Sequence, residues 1–149
     1  MPDNIYPPVN FYFNVKVVDI SEETSFQEVS GLSVEIETEP VKEGGVNEYI
    51  HKLPKGIKYN NLVLKRGLVP LSPLMTWIKK AVEEFKFQPK MVIVSLLDVK
   101  GIAQVYWTFH NAYPVAVKVT DLNAQDGKVL IETLELSYNY FTRRISSPG

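Results

Sequence analysis

The chain has 149 residues, 45% of them hydrophobic and 22% charged, with a formal net charge of −1. That balance suits one ordinary soluble domain with a real core, and it gives no global attraction to nucleic acid or to an anionic membrane. The absence of cysteine excludes a disulfide scaffold, a thiolate nucleophile and any cysteine-ligated metal. A single domain over 1–149 is expected. Residues 1–8 read as an N-terminal arm, because Pro7 and Pro8 favour extended backbone. The N-terminus shows neither a basic region nor a long apolar run, so the reading is of a protein made in the cytoplasm without a signal peptide. No apolar stretch is long enough to span a bilayer, so no membrane anchor is expected.

From Phe11 the pattern alternates. Phe11, Phe13, Val15 and Val17 share one face of a strand, and Tyr12, Asn14, Lys16 and Val18 share the other. "SEET" (21–24) reads as a polar turn. "FQEVSGLSVEIETEPV" gives one or two further strands, with Gly31 at a bulge or bend. Residues 42–57 read as an extended loop, Gly-rich at Gly44 and Gly45 and then polar and punctuated by Pro54 and Gly56. Loops longer than a tight hairpin needs usually have a function.

"NNLVLKRGLV" reads as a strand with an oddity. Arg66 falls in the same phase as Leu62 and Leu64, and Gly67 follows at once. A helix then stands out over 73–85. Ser72 is placed as its N-cap and Pro73 at its first position, and Leu74, Trp77, Ile78, Ala81, Val82 and Phe85 recur at spacings of three and four. Leu74, Trp77, Ile78, Val82 and Phe85 are its expected core residues. "KMVIVSLLD" is nearly continuous apolar and reads as a buried strand. "AQVYWTFHNAYPVAVKVTDL" reads as a long strand or a pair, interrupted near residues 111–114, and "KVLIETLELSYNYF" as the last long strand. Residues 143–149 are expected to be a mobile tail. The sum is a mainly β protein of about seven strands, a small antiparallel barrel or sandwich with one flanking helix.

The last strand holds a second oddity. Glu132 shares the phase of Leu130, Leu134, Leu136 and Tyr138, as Arg66 shares that of Leu62 and Leu64. An unpaired buried charge is too costly to keep, whereas a paired one is tolerated. Two readings stand: Arg66 meets a carboxylate, Glu132 first, with Gly67 bending the strand after it, or both side chains sit at rims and reach water.

Catalytic signatures are missing. His51 and His110 lack ligand-spaced neighbours, and no metalloprotease helix motif, P-loop or nucleophile elbow is present. Asp98, Asp121 and Asp126 sit at strand ends and turns, where Asp hydrogen-bonds backbone. No catalytic, cofactor-binding or metal-binding residue is assigned, and no specific nucleic-acid contact is read from the aromatics, which fall in the apolar phase of strands.

Six segments nevertheless occur in a telling order: "FQEVSGL", "EGGVNEYIHKLP", "KYNNLVLKRGL", the tryptophan of "LMTWI", "NAYPV" and "IETLELSY". From about Val9 to about Phe141 the chain resembles the inner-tube protein of contractile phage tails and phage-tail-like injection particles, with virulence-cassette and anti-feeding-prophage particles the nearest kin. The resemblance implies a small β-barrel with a flanking helix, a structural protein and not an enzyme, and no cofactor. It implies self-association into hexameric rings that stack into a tube inside a sheath, which drives the tube through a target envelope on contraction. Its further partners would be sheath, baseplate and spike components, with effector cargo in the lumen as in the related type VI secretion tube. The particle would assemble in the cytoplasm and then be extracellular or membrane-associated. The wording of "KRGL" and "IETLELSY" leans toward the baseplate-proximal paralogue. The family's matching loop contacts neighbouring subunits, which here points to Glu43, Gly44, Gly45, Asn47, Tyr49 and His51. Two other readings remain: a monomeric small-ligand-binding barrel with Tyr106, Trp107 and Phe109 lining a cavity, and a hydrolase with a dispersed site.

Overall fold

The computed structural model describes residues 11–42, 50–124 and 127–146. Among the described residues the order is β1 (Tyr12–Val17), β2 (Ser21–Phe26), β3 (Glu28–Ser30), β4 (Val34–Lys42), β5 (Ile50–Tyr59), β6 (Leu62–Gly67), α1 (Pro73–Glu84), β7 (Lys90–Leu97), β8 (Ala103–Ala124), β9 (Gly127–Ser137) and β10 (Tyr140–Ile145). The expected class is found: antiparallel strands dominate and one helix flanks them.

The main sheet runs β2-β1-β7-β8-β9-β6-β3, with β10 also on β8. It does not close as one continuous ladder. Its two ends are nonetheless successive pieces of chain, because only Gln27 separates β2 from β3, and the Gln27 N–H donates to Lys65 O over 3.0 Å. The sheet therefore curls until its first strand approaches its sixth. Strand β8 makes the curl possible. Its first half pairs with β7 and β10, its second half with β9. Between them Asn111 adopts a left-handed φ of 56° and the register slips between Pro114 and Ala116. The interruption read in the sequence at 111–114 is thus a bend within one strand.

The "SEET" segment is not a turn. It lies inside β2, with Lys16 opposite Glu22 and Val17 opposite Ser21. The reversal falls just before it, over residues 18–20, where Asp19 takes a φ of 69° and the Ile20 N–H returns to Val17 O. Asp tolerates that conformation better than most residues, so a segment with no Gly still makes a tight turn.

The core follows the phases of the strands. Val15 faces Val94, Val17 faces Val92, Leu62 faces Leu136 and Leu64 faces Leu134, all fully buried. Each such side chain contributes about 1.5–3 kcal/mol relative to exposure. Helix α1 covers this core with Leu74, Trp77, Ile78 and Ala81. Ser72 caps it, its Oγ accepting the Met75 N–H, and Pro73 opens it.

Two expected core residues of the helix are not core. Val82 is 45% and Phe85 82% exposed. Val82 lies at the edge of the 74–77–78–81 stripe. Phe85 sits beyond the last turn with a left-handed φ of 54°, which carries its ring off the helical face. The first part of the expected tail is strand, since residues through Ile145 form β10 along β8, Arg143 opposite Trp107, and residues 147–149 lie outside the described residues. Backbone pairing fixes a segment that side-chain polarity marks as loose.

Candidate functional site

Two features have no role in an ordinary soluble barrel. The first is the hairpin of β4 and β5. The extended loop read at 42–57 is largely strand: Ile50–Tyr59 pairs along Val34–Lys42 from Val34↔Tyr59 to Lys42↔Ile50. A two-stranded ladder with open outer edges accommodates Pro54, and the register shift between Glu37 and Thr38 absorbs the extra residue. Every residue from Ser33 to Pro40 and from Lys52 to Lys58 is exposed. Ile36 and Ile57 face each other across the ladder with nothing over them. An isolated two-stranded hairpin is marginally stable at best. Of the residues assigned to an assembly loop, His51 lies in β5 opposite Val41. Glu43, Gly44, Gly45, Asn47 and Tyr49 lie outside the described residues.

The hairpin's root is firmly built. Tyr59 packs edge-on against Tyr138 and Phe141, at centroid distances of 5.8 and 5.4 Å. The Tyr138 hydroxyl donates to Asn60 O over 2.5 Å, Asn60 Nδ2 donates to Ser33 Oγ over 2.6 Å, and Asn61 Nδ2 to Glu135 Oε1 over 3.0 Å. Gly31, at a φ of 87°, lies so close to the Asn61 carbonyl that a Cβ would fall 1.9 Å from its oxygen. Partial burial, and then the neighbouring Tyr59, push the Tyr138 hydroxyl from 10.0 up to about 12.

The second feature is the buried arginine. Arg66 is 2% and Glu132 0% exposed, and they are direct partners across the β6–β9 ladder. Arg66 Nε donates to Glu132 Oε2 over 2.9 Å, Nη1 to Glu23 Oε1 over 3.0 Å and Nη2 to Ser72 Oγ over 3.3 Å. Its guanidinium lies 4.7 Å above the Phe26 ring. The other Glu132 oxygen, Oε1, is buried without a protein partner. One guanidinium thus joins β2, β6, β9 and the helix cap, at the place where the sheet's two ends meet. Glu23 and Ser72 were missed as partners. Glu23 was hidden by the turn reading of "SEET", and a cap serine gives no sequence sign of a second use. Gly67 ends β6 opposite Ile131, and a Cβ there would meet nothing within 4 Å.

The ligand-barrel reading finds no support in its own residues. Phe109 is fully buried core and Trp107 packs against that core, while Tyr106 alternates to the opposite face, so the three do not line one cavity. His110 stacks on Tyr140 at 4.3 Å. Among the described residues no group of three His, Cys, Asp or Glu is placed to hold a metal, and no helix is long and apolar enough to cross a membrane.

A curled antiparallel sheet, a single flanking helix and a projecting hairpin define the class of the tail tube proteins. The profile of the T4-like virus tail tube protein gp19 family matches residues 9–142, and the chain belongs to that family, which is structural and not enzymatic. Among solved structures, a chain of the anti-feeding prophage (AFP) baseplate, solved by cryo-EM and six-fold symmetrised, is similar at 31% identity and a TM-score of 0.78, over 93% of this chain and 96% of that one. A chain of the PVC sheath–tube complex, an extracellular contractile injection system in the extended state, follows at 23% identity and 0.75, over 96% and 95%. Hcp1 from Salmonella typhimurium shares the fold at 14% identity and 0.57, over 91% and 86%. No curated protein sequence matches the chain.

Proposed function

We propose that this chain is the ring-forming subunit of the inner tube of a contractile injection particle, six copies to a ring, the rings stacking inside a sheath on a baseplate and spike. The observation that carries this is the β4–β5 hairpin, held at a rigid root and covered by none of the described residues. A second supports it. Residues 113–124 of β8 pair with β9 on one side only, because β7 ends its pairing at Ala112. Among the described residues that leaves a long open edge, and open edges call for a partner strand. The higher identity to a baseplate chain than to sheath–tube and cap chains, 31% against 23%, favours a place near the baseplate. Effector cargo would lie in the lumen, and the finished particle would act outside the cell that made it.

Light scattering on purified protein and negative-stain microscopy test this. Rings or tubes are expected. A monodisperse monomer of about 17.0 kDa at high concentration, with or without sheath and baseplate proteins, would end this reading in favour of a free-standing barrel.

A further inference from the structure

The turn between β7 and β8 is a locked knob. Asp98 Oδ1 accepts the N–H groups of Lys100 and Ile102, at 2.9 and 3.0 Å, and Oδ2 accepts from Gln104 Nε2 at 3.0 Å. Gly101 supplies the left-handed residue, at a φ of 79°. The turn so fixed presents Val99, Lys100 and Ile102 to solvent. Two apolar side chains held outward on a rigid turn add nothing to their own core and are free to pack on a partner.

A groove of about 600 Å³ lies elsewhere on the molecule, where Ile20, Leu71, Pro73 and Trp77 form the apolar lining and Asp19 and Lys80 the charged one. Leu71 is 91% exposed, so this lining is unfinished. Asp19 is the acid among the lining residues, and Lys100 is the charge on the knob that is not already tied into the turn.

The β1–β7 register places the two at opposite ends of one ladder. Tyr12↔Leu97 abuts the knob and Val17↔Val92 abuts the Asp19 turn. At about 3.4 Å per residue, those pairs are roughly 17 Å apart. The knob cannot reach its own groove, but that of a second copy displaced along the strands can.

We propose that the 98–102 turn of one copy seats in the groove at Ile20, Leu71 and Trp77 of the next, with Val99 and Ile102 against the apolar lining and Lys100 toward Asp19. A contact between unlike surfaces closes into a ring where the rotation between copies closes and otherwise propagates as an open stack, and a displacement of about one ladder length along the strands favours the stack. The proposal rests on the tube reading and adds to it a ring-to-ring contact distinct from the hairpin.

Cysteine-free sequence makes a clean test possible. The full-length Leu71→Cys/Val99→Cys protein is assembled, treated with a short bis-maleimide and run on a denaturing gel. A ladder reaching past the dimer is expected, and each single variant should stop at dimer. Intact tubes whose chains stay uncross-linked would overturn the proposal. If the double variant does not assemble, Lys100→Glu decides. It should raise the concentration needed for assembly by about tenfold or more, through like charge facing Asp19, with the monomer's melting unchanged. Assembly equal to the parent protein would overturn the contact. Failure of the parent protein itself to assemble would count against the tube reading instead.

Discussion

Arg66 and Glu132 face each other across the β6–β9 ladder and are joined by a 2.9 Å hydrogen bond inside the core. The exposed pair next to it is a useful contrast. Lys65 and Glu28 stand 3.9 Å apart with both side chains reaching solvent, and pairs of that kind contribute about 0–1 kcal/mol. Removing one member of a buried pair costs far more, because the survivor stays desolvated and unpaired.

Arg66→Met should therefore destabilise the monomer by about 3–5 kcal/mol, measured by denaturant unfolding. Arg66→Lys should not rescue it, since an ammonium cannot reproduce the planar three-way fork to Glu132, Glu23 and Ser72. Arg66→Met combined with Glu132→Leu should recover most of the loss. A double variant no more stable than Arg66→Met alone would show that the cost lies in packing against Phe26 and not in a stranded carboxylate.

Trp77 is buried against the barrel and its Nε1–H donates to Gln88 O over 2.9 Å. Trp77→Ala should cost about 3–5 kcal/mol. Val82→Ala and Phe85→Ala, at exposed positions, should change monomer stability by about 0.5 kcal/mol or less. Equal losses at all three would contradict the assignment of the helix's buried face.

The Tyr138 hydroxyl, held near 12 by burial and by Tyr59, ionises later in the folded chain than in the unfolded one, where it ionises near 10.0. Between those values the unfolded state binds fewer protons. Stability from this group is therefore complete below pH 10 and is lost as pH rises toward 12. Tyr138→Phe should flatten the fall in stability across that window, and phenolate absorbance of the folded protein should show one late tyrosine fewer. An unchanged slope and an unchanged titration would rule out the buried-hydroxyl account.

How far the sequence could be read depended on what each segment packs against. The phases of β1, β6 and β9 were legible because one face of each is buried, and period-two alternation survives only where a core enforces it. The charge pair was legible for the same reason, since a charge out of phase is conspicuous among leucines. β2 was not, because Glu22 and Glu23 look like turn residues until Asn14 and Arg66 supply their partners. Strand β5 was read as loop because neither face of the β4–β5 hairpin meets the core, so burial wrote no pattern into it. Val82 was misplaced because it lies at the edge of the buried stripe, and Phe85 because helical periodicity runs on past the point where Phe85 leaves the helix.

The hairpin gives the sharpest separation of folding from assembly. Ile36 and Ile57 are exposed cross-strand partners, remote from the core. A charged side chain there has nothing in its own chain to disrupt, so Ile36→Glu and Ile57→Lys should each change monomer stability by about 0.5 kcal/mol or less. If the apolar pair is buried by a neighbouring subunit, the same changes place a charge in a contact meant for hydrocarbon, and assembly should fail or need far more protein. Together the two changes restore a cross-strand ion pair within the hairpin but not its apolar face, so the double variant should keep its fold and still assemble poorly. Tubes forming normally from that variant would mean that the hairpin's apolar face is not covered in the assembly. Loss of the monomer fold would mean that the hairpin is part of the domain's own stability. Circular dichroism on the monomer and electron microscopy on the concentrated protein distinguish the three outcomes.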